Sequence, residues 1–195
     1  MVAFILPGRQ QKDMDYVVLV VGWLAYFVLH SGLAAHRVKR FFHPRWFRLL
    51  YSFIATAGLL SLLFWSGKIP SQAILKSDGW LRYLSLMLTT FGVMLIQLSF
   101  KQYSLRAFIG LADEPKKFKT AGILQYVRHP IYAGTILIII GFFLFIPNWP
   151  TLVSCLLMLL YLPVGIYLEE KKLIAAFGNQ YLEYKKRVPS LIPRF

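Results

Sequence analysis

Apolar residues run along this chain in five long blocks: Tyr16–Ala35, Leu49–Ser66, Tyr83–Phe100, Ile131–Pro147 and Trp149–Leu168. A helix crosses a bilayer with about 20 apolar residues, in a usable range of about 17–25. Each block is therefore predicted to be a membrane-spanning helix, the fourth at the short end of the range. Only Pro147-Asn148-Trp149-Pro150 separates the fourth from the fifth, which predicts a tight antiparallel helical hairpin. Pro163 lies inside the fifth block, where a proline kinks a helix. No internal repeat is evident.

After the fifth block the pattern changes period. Glu170, Ile174, Phe177, Tyr181 and Tyr184 are separated by four, three, four and three residues. On one helix they share a face. This predicts a C-terminal amphipathic helix carrying a carboxylate on an aromatic stripe. Glu169 lies about 100° round that helix, nearer Leu173. The plainer reading of Glu169-Glu170 is a solvated pair at the start of the helix. The fold class expected is all-α: a polytopic membrane protein with five spans, the last two a hairpin, then the amphipathic helix. The whole of 1–195 forms one membrane domain, with the first three spans in 1–100 and a ligand-binding part in 101–195.

Composition agrees with that pattern. Of 195 residues, 57% are hydrophobic and only 15% charged, against about 25% charged in a soluble domain. Mean hydropathy is +0.57. A net charge of +14 on a soluble surface would suggest nucleic acid. Here the basic residues sit between apolar blocks, so no nucleic-acid partner is expected. Their placement reads as topology. Seventeen of the 22 fall in the loop after span one, the loop after span three and the tail, and the hairpin tip has none. The N-terminus is thus expected outside and the C-terminus in the cytoplasm. The first residues lack the basic-then-apolar order of a signal peptide. The single cysteine, Cys155, sits in an apolar block and excludes a disulfide framework.

Two cytoplasmic pieces, 101–129 and 169–195, flank the hairpin and so meet at one membrane face. Pro130 suits the first turn of a helix, where its missing N–H costs nothing. His129 then stands near the N-cap and Arg128 just outside. A helix N-terminus attracts anions, and the arginine fork suits a carboxylate or phosphate. By itself Arg128 also satisfies the positive-inside rule. The Glu-bearing aromatic stripe suits a cation with an apolar body. A ligand with a carboxylate, an ammonium, a sulfonium and an aromatic base fits both pieces; that is S-adenosylmethionine. A lipid headgroup, which also carries both signs, fits as well. The four histidines show no ligand spacing, so no metal is expected. His30 is an intramembrane histidine and hence a functional candidate, with packing against a neighbouring helix the alternative. His36 and His43 read as interfacial. The five tryptophans fall mostly near span ends, as an aromatic belt would place them.

"GILQYVRHPIYAG" followed by "EEKKLIAAFGNQYLEYKKRVPSLIP" resembles the C-terminal half of the integral membrane methyltransferases. That group includes the isoprenylcysteine carboxyl, phospholipid and methanethiol S-methyltransferases. Arg128, His129, Pro130, Tyr132, Glu169, Glu170, Phe177, Gly178, Tyr181 and Tyr184 carry the likeness. "LHSGLAAHRVKRFF" is more similar to the thiol-methyltransferase and NnrU-type branch. The resemblance implies S-adenosylmethionine as cofactor at the cytoplasmic face. It implies that His129, Pro130, Tyr132, Glu170, Phe177, Tyr181 and Tyr184 bind it. Arg128, Glu169 and Glu170 are the catalytic candidates, with Arg106 and His30 toward the substrate. Glu170 is expected at the cofactor ammonium or sulfonium. His129 and the start of span four are expected at its carboxylate, and Arg128 or Arg106 beside an anionic acceptor. The acceptor is expected to be small or lipidic (a thiol, a carboxylate or a lipid amine), with membrane lipids as surroundings. No Gly-x-Gly-x-x-Gly follows a strand, which disfavours a Rossmann-type enzyme. Two alternatives stand: an NADPH-dependent membrane reductase of related architecture, and a non-enzymatic assembly factor of NnrU type.

Overall fold

The computed structural model describes residues 8–33, 44–101 and 117–193. Among them the chain forms six α-helices: α1 (Gly8–Leu33), α2 (Pro44–Lys68), α3 (Gly79–Phe100), α4 (Pro130–Phe145), α5 (Trp149–Phe177) and α6 (Asn179–Arg187). A single 3₁₀ turn, Gly122–Gln125, precedes α4. Four of the helices, α1, α2, α3 and α5, are long and apolar enough to cross a membrane. The fourth predicted span differs. It is helical over only 16 residues, about 24 Å at 1.5 Å per residue, less than a bilayer core of about 30 Å. The chain leaves the helix at Ile146, and Asn148 already caps α5 by accepting from the Thr151 N–H at 2.9 Å.

The end of α5 also departs from expectation. The helix runs without a break through Pro163 and on through Glu169 and Glu170 to Phe177. The two glutamates therefore lie inside a helix of 29 residues instead of starting the next one. Such a helix is about 43 Å long, so its last turns project past a bilayer core. The break comes later, at Gly178, whose φ of +52° is a left-handed value that side-chain-bearing residues rarely adopt. The aromatic stripe is thus split between two helices.

Two groups of helices pack through α5. In the first, α1 meets α5 and α2. Trp23 is fully buried mid-helix, an exception to the belt, and donates to Ser154 Oγ at 3.0 Å. Phe27 stacks on Tyr161, with centroids 4.2 Å apart. In the second, α3 and α4 run antiparallel with their backbones in contact. A Cβ on Gly92 would stand 2.5 Å from the Gly134 carbonyl oxygen, and one on Gly134 equally close to that of Gly92. Gly141 is similarly pressed against the Ser85 carbonyl. Small residues permit this approach where lipid offers no hydrophobic drive for helix association. Cys155 is buried between α4 and α5, its thiol 3.5 Å from the Ile139 carbonyl, as a small hydrophobe. At the opposite end from the glutamates, Ile74 N–H donates to the Pro147 carbonyl at 2.7 Å and Ser77 to that of Leu144. The link between α2 and α3 is thereby fastened to the hairpin tip.

Candidate functional site

The start of α4, the projecting end of α5 and the C-terminal segment converge on one carboxylate. Glu170 Oε1 accepts from Arg128 Nη2 at 2.9 Å and lies 3.2 Å from His129 Nε2. Its Oε2 accepts from Lys185 Nζ at 2.5 Å. The Arg128 and Glu170 side chains are only 9% and 11% exposed, so water screens this pair weakly. The Arg128 fork has a second set of partners. Its Nη1 donates to the carbonyls of Lys185 and Val188. Backbone bonds extend the contact: Arg128 N–H to Pro189 O at 2.9 Å and His129 N–H to Ser190 O at 3.0 Å. The tail is thereby bound across the entrance to α4.

His129 is buried, 3% exposed, at the N-cap of α4, and its side chain makes no capping bond. Pro130 follows at the first helical position, as expected. The imidazole meets Tyr132 edge-on, with centroids 5.7 Å apart, and its Nδ1 lies 3.9 Å from Glu169 Oε2. Glu169 differs from its neighbour in being half exposed, at 46% of its side chain. The Tyr132 hydroxyl lies within interaction range of Glu169. It leans on Gly165, where a Cβ would stand 3.2 Å from it. Glu169 and Gly165 are one turn apart on α5, so one helical face presents both to Tyr132.

The aromatic stripe survives the break at Gly178. Tyr181 and Tyr184 are both buried, and Phe177 is partly exposed. Phe118 packs against Phe177, Tyr184 and Tyr181, at 5.1, 5.4 and 6.1 Å between centroids. Tyr184 donates to the Leu124 carbonyl at 2.6 Å, fixing α6 to the 3₁₀ turn. The buried Tyr181 hydroxyl faces Glu170 and Arg128 without a hydrogen bond of good geometry. Burial and the Glu170 carboxylate push this phenol above its ordinary range, which keeps it protonated.

Of the residues singled out from sequence, Arg128, His129, Pro130, Tyr132, Glu169, Glu170, Phe177, Tyr181 and Tyr184 all come together here. His30 belongs to a separate group between α1 and α2, and Arg106 lies outside the described residues, as do His36 and His43. Sequence reasoning missed Lys185, Phe118 and the carbonyls of 188–190. Lys185 is one of six basic residues in the tail and carries no mark of its own. Phe118 follows two lysines in a loop without periodicity. No group of three or more His, Cys, Asp or Glu side chains that could hold a metal occurs among the described residues.

An apolar helical bundle with a buried, hydrogen-bonded charge cluster at one end defines an integral membrane protein with a polar site at that end. Residues 80–180 match the family model described as phospholipid methyltransferase. The methanethiol S-methyltransferase of Crocosphaera subtropica is 31% identical over 96% of this chain and 79% of its own. Methanethiol S-methyltransferase 1 of Bradyrhizobium diazoefficiens is 30% identical over 95% of this chain and 70% of its own. The protein-S-isoprenylcysteine O-methyltransferase of Schizosaccharomyces pombe is 39% identical, but over only 38% of this chain and 32% of its own. No solved structure matches. The chain belongs to the phospholipid methyltransferase family, and it is a membrane methyltransferase.

Proposed function

We propose that this protein transfers a methyl group from S-adenosylmethionine to a small thiol at the cytoplasmic face of the membrane. The reading rests above all on one arrangement. The Arg128–Glu170 pair closes α4, α5 and the tail around a site whose rim carries the half-exposed Glu169 carboxylate. The donor's chemistry fits the residues present. Arg128 Nε is buried without a partner, and α4 begins without a capping side chain. Both favour an anionic group such as the cofactor carboxylate. Glu169, with Tyr132 beside it, suits the ammonium and the sulfonium. Phe177 with Phe118 offers apolar surface to the base, in front of the buried Tyr181 and Tyr184. S-adenosylmethionine brings an activated methyl group when bound, so the protein's part is position and electrostatics.

The two glutamates divide the work in this reading. Glu170, already engaged by Arg128, His129 and Lys185, acts as the positioning residue that holds His129 and Arg128 in place. Glu169 is the carboxylate with room for a ligand. The choice of a thiol follows the breadth of the likeness. The two S-methyltransferases match 96% and 95% of the chain, whereas two isoprenylcysteine enzymes match 38% and 74% of it. We further read α4 as a fifth crossing, shortened and supported by its close packing on α3. The N-terminus is outside, and 101–195 forms the cofactor part of a single membrane domain.

Equilibrium binding of S-adenosylmethionine and S-adenosylhomocysteine to the detergent-purified protein tests the reading. Wild type binds both, and His129→Ala and Glu169→Gln each weaken binding about tenfold or more, the loss of one charged hydrogen bond. No binding by folded wild type overturns it.

A further inference from the structure

Away from the charge cluster, α1 and α2 leave a cleft of about 260 Å³ between them. Its walls include Ala25, Ala55, Gly58 and Leu62, and its inner end is made by His30 and Tyr51. The small residues create the space. It opens on the flank of the bundle, where Leu29 is 58% exposed. Among the described residues no Lys, Arg, Asp or Glu lines it. A small acceptor fits within it.

The polar end of the cleft is incomplete. Tyr51 Oη lies 3.1 Å from His30 Nε2 and 3.3 Å from Nδ1. One hydroxyl cannot bond both nitrogens of a ring well at once, so among the described residues one of them lacks a well-formed bond. This end also leads towards the charge cluster. His30 meets Tyr161 edge-on at 6.3 Å between centroids, and Tyr161 bonds Ser31 at 2.6 Å. Tyr132 lies within electrostatic range of both Tyr161 and Tyr51, and it adjoins Glu169. Lys172, one turn from Glu169 on α5, is in turn within range of His30. The polar end of the cleft is thus electrostatically coupled to Tyr132, beside the proposed cofactor site.

We infer that this cleft is the acceptor chamber and that the His30–Tyr51 pair takes the acceptor's proton. The inference rests on the methyl-transfer reading above. The occupant is a small neutral thiol. The described lining is apolar and holds no cation for a carboxylate, while an imidazole and a phenol suit a group that has a proton to lose. A thiol is a far weaker nucleophile than its thiolate. The S–H proton passes to His30, and the sulfur keeps the electron pair and forms the new S–CH₃ bond. The sulfonium donor leaves as a neutral thioether, and one proton is released to water per turnover.

The test uses the full chain in detergent or nanodiscs, with ethanethiol and an aromatic thiol as acceptors and S-adenosylhomocysteine binding as the independent readout. Ala55→Phe fills the cleft. It is expected to raise the KM for ethanethiol at least tenfold while S-adenosylhomocysteine binding stays within twofold. Ala25→Leu, from the facing wall, is expected to act the same way and serves if the larger change disturbs folding. His30→Gln is expected to lower kcat for ethanethiol, to make the rate climb with pH as thiolate forms, and to spare the aromatic thiol, which ionises at neutral pH. Direct titration with a dialkyl sulfide, the product class, is expected to give binding that Ala55→Phe abolishes. Unchanged KM in both wall variants overturns the chamber and leaves the cleft to a lipid chain. An unchanged pH profile in His30→Gln overturns the proton role. S-adenosylhomocysteine binding by wild type without methylation of either thiol overturns the thiol occupant. No binding at all overturns the methyltransferase site itself.

Discussion

Glu170 Oε1 stands 2.9 Å from Arg128 Nη2, joining the projecting end of α5 to the residue two before α4 begins. The same oxygen meets His129, and the other oxygen meets Lys185. One side chain therefore fixes three separate stretches of the chain. Removing it leaves a guanidinium that is 9% exposed without its counter-charge. Breaking a buried pair from one side costs about 3–5 kcal/mol. Glu170→Ala is therefore expected to lower thermal stability in detergent by an amount of that order. It is also expected to weaken S-adenosylmethionine binding through misplaced Arg128 and His129. A stable Glu170→Ala that loses only turnover would instead put Glu170 in contact with the reacting atoms.

Lys185 makes the contrasting case. Its side chain is 43% exposed, so water competes for its bond to Glu170. Exposed pairs contribute about 0–1 kcal/mol. Lys185→Met is expected to change the unfolding midpoint little. A loss as large as that of Glu170→Ala would show that the tail, not Arg128, holds the cluster together.

Tyr181 and Tyr184 are one turn apart and equally buried, yet their hydroxyls differ. That of Tyr184 donates to Leu124, while that of Tyr181 has no well-formed bond. Deleting a satisfied buried hydroxyl costs about 1 kcal/mol, and deleting an unsatisfied one relieves a desolvation cost. Tyr184→Phe is expected to destabilise by about 1 kcal/mol, with Tyr181→Phe neutral or stabilising. Thermal unfolding of the pair decides it.

The α3–α4 contact gives a steric test. Gly134→Ala pushes a methyl onto the Gly92 backbone, whereas Gly22→Ala meets only the tip of the flexible Leu62 side chain, at 2.8 Å. Overpacking against backbone costs about 1–3 kcal/mol. Gly134→Ala is expected to reach or pass the upper end of that range and Gly22→Ala to stay below it. Equal unfolding temperatures would mean that α3 and α4 do not meet this closely in the membrane.

The hydrophobic pattern determined on its own that the chain is helical and membrane-embedded. Twenty apolar residues in a row have few other stable environments, and four of the five blocks became helices of spanning length. The motif residues were legible too, because Arg-His-Pro at a helix start and paired glutamates at a span end each have a local physical reason. Their partners were not legible. The 3.6-residue period ran smoothly through Gly178 and masked the one local sign of a break, the glycine itself, whose positive φ ends α5 and turns α6 back over the site. A glutamate pair reads alike at both positions in sequence. Only packing against α4 and the tail made Glu170 a buried knot and left Glu169 at the rim. Ser85, Gly92 and Ser99 of α3 and Gly134 and Gly141 of α4 recur every seven residues, but what they meet is visible only where the two backbones touch. Short-range pattern sets which residues leave water and in what shape. Which of them meet depends on contacts between residues far apart in the chain, such as Arg128 with Glu170 and His30 with Tyr161, and these exist only once the helices have packed.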